Sequence, residues 1–260
     1  MPRHIGKINM IGLGTFIHKE CARFLSVYIQ TILAPMVSTL LFYTVFALAF
    51  GGAGRMIGDV PYLTFLAPGL IMMSMLQHSF ANTSSSIMIS KVQGNIVDVL
   101  MPPLSPLEIC AGYATAGILR GMVVGLACLP PILFFCSIHV ASLWAVFGFG
   151  ILGSALLAIM GILTGLWSTK FDHLAAITNF AVMPMTFLSG TFYSIDSLPP
   201  EWRHIAHFNP FFYIIDGFRY GLTGHAESNL WLGFGVLAGL CLLFFTAAYL
   251  MIRTGYKTKS

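Results

Sequence analysis

Five stretches of this chain carry no Asp, Glu, Lys or Arg: residues 24–54, 60–90, 121–169, 173–195 and 228–252. A helix needs about 20 predominantly apolar residues to cross about 30 Å of hydrocarbon, and each run supplies them. The run at 121–169 is too long for one helix. It divides at "SIHVAS" (137–142), just past Pro130-Pro131, with the earlier helix beginning near Leu107. The expected fold is therefore an all-α polytopic membrane protein with six transmembrane helices, at 27–50, 61–90, 107–136, 142–168, 174–193 and 228–252. Composition agrees, with 57% of residues apolar and 8% charged, against about 25% charged in a soluble domain.

Basic residues give the orientation. Arg3, Lys7, Lys19 and Arg23 precede the first span, Arg253, Lys257 and Lys259 follow the last, and Lys91 and Lys170 stand in loops on the same side. Only Arg55, Arg203 and Arg219 stand opposite. By the positive-inside rule both termini are cytoplasmic. The net charge of +4 is accounted for by these flanks and calls for no nucleic-acid partner. "HKE" at 18–20 interrupts the early apolar run and no A-x-A site follows, so the first span itself is expected to serve as the targeting signal. Cys21, Cys110, Cys128, Cys136 and Cys241 have no paired spacing and suggest neither a disulfide framework nor a zinc site.

Ahead of the first span, residues 8–26 mix Ile11, Phe16, Ile17, Phe24 and Leu25 with His18, Lys19, Glu20 and Arg23 at helical period. This pattern fits an amphipathic helix on the cytoplasmic face; an extended first span would take four charged or titratable groups into lipid. The second span has a polar stripe of Ser74, Gln77, His78, Asn82, Ser85 and Ser86 at spacings of three and four. Polar groups in hydrocarbon need partners, so the stripe either bonds neighbouring helices or lines a transport path. Gly117/Gly121/Gly125, Gly161/Gly165 and Gly235/Gly239 are small-xxx-small rows that let helices approach closely. Arg120 lies about a dozen residues into its helix. It either snorkels toward the cytoplasm or meets an anionic substrate.

Residues 1–260 read as a single membrane domain without internal repeats. Phosphate-cradle, nucleophile-elbow and HExxH motifs are all missing, and no span holds two carboxylates that could relay protons. A membrane-embedded enzyme acting on lipid remains the alternative reading. Its candidate groups are Asp196, Glu201, His204 and His207, of which the two histidines have a spacing that could hold a metal. Between the second and third spans, "KVQGNIVDVLMPPLSPLEI" (91–109) offers a short helix at 94–101 whose Ile96, Val97, Val99 and Leu100 would face water. Pro102, Pro103 and Pro106 then stiffen the turn. Such a knob suits a docking surface, or a loop dipping into headgroups.

"GNIVDVLMPPLSPLEI" (94–109), followed by "FLSGTFYSIDSLPPEWRHIAHFNPFFYIIDGFRYGLTG" (187–224), resembles the permease subunits of the ABC-2 type transporter family. The likeness extends over essentially the whole chain. It implies a dimer of permeases, identical or different, bound to two ATP-binding subunits, with ATP and Mg held by those partners and no cofactor on this chain. It also implies export of a drug, a lipid or a lipid-linked glycan from a bacterial inner membrane. The segment 94–101 would be the coupling helix, with Gly94, Asn95, Ile96, Val97, Asp98, Val99, Leu100 and Pro103 meeting the ATPase. Gln77, His78, Asn82, Ser85 and Arg120 are the candidate pathway residues. Within 198–224, Pro199-Pro200 starts a helix of about nine residues, Asn209-Pro210 breaks it, and a second run of about twelve ends at Gly221 or Gly224. At 1.5 Å per residue these reach only about 14 and 18 Å, too short to cross. The segment therefore reads as an extracytoplasmic re-entrant hairpin between helices five and six, with Trp202, Asn209, Pro210, Asp216 and Arg219 as its gate residues. Asp216 and Arg219, three apart, are spaced so that their side chains can meet.

Overall fold

The computed structural model describes residues 9–50, 56–58, 60–96, 103–136 and 138–256. Helix α1 (Met10–Leu25) starts at Asn9, whose side chain accepts from the Gly12 amide. It turns Phe16, Glu20 and Phe24, spaced by four, onto the body of the protein. A π-helical turn at Ile29–Leu33 leads without a break into α2 (Ala34–Phe50). After a two-residue antiparallel ladder, β1 (Met56–Ile57) with β2 (Val60–Pro61), comes α3 (Tyr62–Val92). Next are α4 (Pro106–Leu133), which opens with a reciprocal cap between Ser105 and Glu108, and α5 (Leu143–Trp167).

Five of these elements are long and apolar enough to cross a bilayer: Ile29–Phe50, α3, α4, α5 and α10 (Leu230–Thr254). The expected span at 174–193 is different. It consists of α6 (Phe171–Ile177), a π-helical turn (Thr178–Val182) and α7 (Met183–Phe187), three consecutive segments of 7, 5 and 5 residues. The helix stops six residues before the expected end because Leu188 leaves helical geometry and Ser189 and Thr191 turn their hydroxyls back onto the Thr186 carbonyl. The third span likewise ends at Leu133 rather than at 136, carrying Pro130 and Pro131 inside its last turns. The hairpin segment folds as α8 (Pro200–Phe208) and α9 (Pro210–Thr223), with Gly224 in the left-handed conformation that closes α9.

Helix α3 is the axis of the structure, buried along most of its length between α4 and α5. Close approach is built into it. A Cβ on Gly121 would lie 2.1 Å from Ser79 Oγ, and one on Gly161 would lie 2.1 Å from Thr83 Oγ1 and 2.6 Å from the Phe80 carbonyl. The third small-residue row is not used in this way: nothing lies within 4 Å of a Cβ at Gly235 or Gly239. Both sit on α10, which presents Trp231, Leu232, Leu242 and Leu243 outward, as Ile29–Phe50 presents Leu41, Phe42 and Leu48. Such outward apolar faces match hydrocarbon, where no hydrophobic drive pulls them inside.

Candidate functional site

The polar stripe of α3 divides by direction. Asn82 and Ser86 serve α1: Arg23 Nη2 donates to the Asn82 carbonyl (2.9 Å) and Oδ1 (3.0 Å), and Ser86 Oγ donates to Glu20 Oε2 (2.7 Å). Glu20 also pairs with Arg23 at 3.2 Å. Thr83, which the stripe reading left out, donates to the Ala158 carbonyl at 2.7 Å and bonds α3 to α5. Ser74, Gln77, His78 and Ser85 take another direction and line an open groove. One lobe, a cavity of about 310 Å³, lies against Ile29–Phe50 and includes Gln30, Ser38 and Ser74. The other, about 220 Å³, lies against α6–α7 and includes Ser85, Thr178 and Met183. Gln77 and His78 belong to both lobes. The flanking elements each break regular α-geometry with a π-helical turn beside the groove, a feature that recurs at functional sites.

Arg120 stands near the middle of α4 and is buried, 8% exposed. It does not snorkel. Its Nη2 lies 3.4 Å from His78 Nδ1, and its Nε is buried without a partner. A guanidinium has no acceptor, so the histidine nitrogen accepts and the neutral ring keeps its proton on Nε2. Neither ion pair found among the described residues involves Arg120. A charge at such a depth costs about 2.5–3.5 kcal/mol on insertion scales.

The helix pair α8–α9 is fastened by buried polar groups. Asn209 caps α9 by accepting from the Phe211 amide (3.0 Å) and donates from Nδ2 to the Met185 carbonyl (2.8 Å). Pro210 occupies the first turn, where its missing N–H costs nothing. Asp216 and Arg219 are buried, 0% and 1% exposed, but make no ion pair with each other among the described residues. Each has its own partners. Asp216 accepts from the Glu227 and Ser228 amides (2.9 Å each) and from Ser228 Oγ (2.6 Å). Arg219 donates to the Phe65 carbonyl (3.2 Å) and the Gly190 carbonyl (2.6 Å), with its guanidinium 3.6 Å above the Phe65 ring. Three residues' spacing allowed a pair, but the loop after α9 and the start of α3 compete for the two charges and take them. Sequence reasoning missed Phe65, Gly190 and Ser228 as members of this hub; backbone carbonyls leave no signature in a sequence. Trp202 is exposed on α8 beside Ile205 and Phe208. Together with Leu188 and Leu198 they edge a cavity of about 300 Å³.

Of the 94–101 segment, Gly94 and Asn95 lie in an exposed turn and Ile96 is buried, while Val97, Asp98, Val99 and Leu100 fall outside the described residues. The flanks of the segment are anchored. Lys91 Nζ donates to the Leu166 and Ser168 carbonyls at the end of α5 (2.8 and 2.5 Å). Pro103 is exposed and its carbonyl accepts from Asn9 Nδ2 (3.2 Å), while Glu108 Oε1 accepts from the Asn9 amide. The start of α1 is thus tied to the exit of this loop. His204 is exposed and His207 packs its ring against Phe212; no group of three metal-ligating side chains occurs among the described residues.

Comparison with known proteins fits this architecture. Residues 12–223 match the model of the ABC-2 type transporter family. The chain is 35% identical over 245 residues to the inner membrane transport permease YadH of Escherichia coli (strain K12), covering 93% of this chain and 94% of the relative. It is 27% identical over 211 residues to Nodulation protein J of Rhizobium leguminosarum bv. viciae, covering 78% and 80% of the two chains. A polytopic helical chain with a polar groove on its central helix, matched by this family over most of its length, belongs to the ABC-2 type transporter family as a membrane permease subunit, in which ATP binding is the task of a separate subunit.

Proposed function

We propose that this chain forms the translocation pathway of an ATP-driven exporter in the inner membrane of a bacterium. Two permeases, identical or different, would pair with two copies of the ATP-binding subunit, and ATP and Mg would be held there. The observation that carries this reading is the two-lobed groove on α3, where Gln77 and His78 are shared by both lobes and each flanking element has a π-helical turn. Polar side chains kept half-buried in an apolar bundle, and opening to a cavity rather than to a neighbouring helix, are what a path for a drug, a lipid or a lipid-linked glycan needs.

In this reading the α6–α7 run brings the number of spans to six and is the fifth in chain order. At 1.5 Å per residue it reaches about 26 Å, short of 30 Å, and a locally thinned bilayer or snorkelling flanks would absorb the difference. Phe180, 85% exposed, suits lipid or a second permease. With six spans both termini are cytoplasmic. The α8–α9 pair then lies on the outer face as a re-entrant closure, held by Asn209, Asp216 and Arg219, with Trp202 at the interface. Residues 94–101 seat in the ATPase, and the bonds of Lys91, Pro103 and Glu108 to neighbouring elements support transmission of its movement to α5 and α1.

The test is co-purification with the ATPase subunit. Val99→Asp or Leu100→Asp should leave the permease inserted and weaken docking by about 2–4 kcal/mol, as for a side chain that fills a pocket. Unchanged co-purification together with unchanged export would exclude the coupling role.

A further inference from the structure

Building on the permease reading, we infer that the groove carries an anion site, formed by Gln77, His78 and Arg120, for a phosphate or carboxylate group on the transported molecule. The buried polar atoms without a partner around this stretch of α3 are three N–H donors and the hydroxyls of Ser79 and Ser154. Gln77 Nε2, Asn82 Nδ2 and Arg120 Nε are each buried without a partner. Native interiors leave few such groups unpaired, and the guanidinium among them, which carries charge and can only donate, calls for an acceptor. Asn82 is fully buried and Arg120 is more than nine-tenths buried, so bulk water does not supply the acceptors.

The charge balance points the same way. Arg120 hydrogen-bonds only to His78, whereas Arg23, one turn further along α3 at Asn82, is already balanced by Glu20, so Arg120 is the guanidinium here that lacks a carboxylate. The described carboxylates with hydrogen-bonded partners are engaged elsewhere: Glu20 with Arg23 and Ser86, Glu108 with Asn9 and Ser105, Asp216 and Glu227 around the end of α9, Asp196 with Arg203. An anion in the groove would meet His78 Nε2–H, and the Gln77 amide once that side chain turns its occluded Nε2 outward, with the Arg120 guanidinium one hydrogen bond beyond as counter-charge. A neutral or cationic ligand would leave the arginine uncompensated.

The experiment uses the full-length permease co-purified with its ATPase subunit in a neutral maltoside detergent and titrated with dodecyl phosphate, with binding read by native mass spectrometry. One saturable site is expected, weakened about tenfold or more by Arg120→Gln, which removes the counter-charge behind His78. Gln77→Leu and His78→Ala should weaken it less. Retained ATPase shows that a variant is folded, and His78→Ala serves as the readout if Arg120→Gln is not. Competition by glycerol phosphate would mark a soluble anion as the ligand, and competition by phosphatidylglycerol alone would mark a lipid headgroup; both support the site. Binding equal in all variants, displacement by dodecyltrimethylammonium, or no saturable binding would overturn it. Absence of a bound ATPase with arginine-dependent binding intact would instead count against the exporter reading and leave the site standing.

Discussion

Removing the Asp216 carboxylate should free the loop after α9, and the size of the effect follows from its partners. The carboxylate accepts two amides at 2.9 Å and one hydroxyl at 2.6 Å. Hydrogen bonds to a charged group contribute about 1.5–3 kcal/mol each. The three do not sum, because Glu227 and Ser228 are only half-buried and water replaces part of what is lost. Asp216→Ala also leaves Arg219 buried with its charge less balanced, so the expected loss is about 3–5 kcal/mol. Ser228→Ala removes the hydroxyl bond alone and should cost about 1.5–3 kcal/mol. In the Asp216→Ala background that hydroxyl has nothing left to donate to, and Ser228→Ala should be nearly silent. The coupling energy of the cycle is therefore about 1.5–3 kcal/mol. Equilibrium unfolding in mixed micelles, driven by a denaturing detergent, measures all four corners. If Ser228→Ala costs as much without the carboxylate as with it, the reasoning fails.

Arg219→Lys keeps the charge but cannot reach the Phe65 and Gly190 carbonyls together while lying over the Phe65 ring; it should lose about 2 kcal/mol in the same unfolding assay, and full stability would show that the fork geometry is unimportant. Gly161→Ala drives a methyl into Thr83 and the Phe80 carbonyl and should destabilise by about 1–3 kcal/mol, whereas Gly239→Ala should be silent in the isolated chain; equal effects would refute the packing assignment. For sidedness, cysteine at exposed Ser197 in a cysteine-free background should react with an impermeant thiol reagent on intact cells and cysteine at exposed Lys19 should not, so labelling at Lys19 would reverse the orientation.

By itself the sequence determined the solvent and most of the elements. Charge-free runs can be satisfied only by apolar helices, which is a local property, so Ile29–Phe50, α3, α4, α5 and α10 fall close to where they were expected. The breaks between α8, α9 and the following loop are equally local, written in Pro200, Asn209, Pro210 and Gly224. Partner choice is not local, and only the tertiary structure decided it. Asp216 and Arg219 stand at a spacing that permits a pair, yet Asp216 is met by the loop that follows its own helix and Arg219 by backbone carbonyls far along the chain. The stripe on α3 has one period, but the side of the helix on which α1, α5 or an open groove lies divides it into helix contacts and a cavity. Two of the three glycine rows have a neighbour pressed against them and the third has none, a difference that no glycine spacing can encode because it depends on which helix packs alongside.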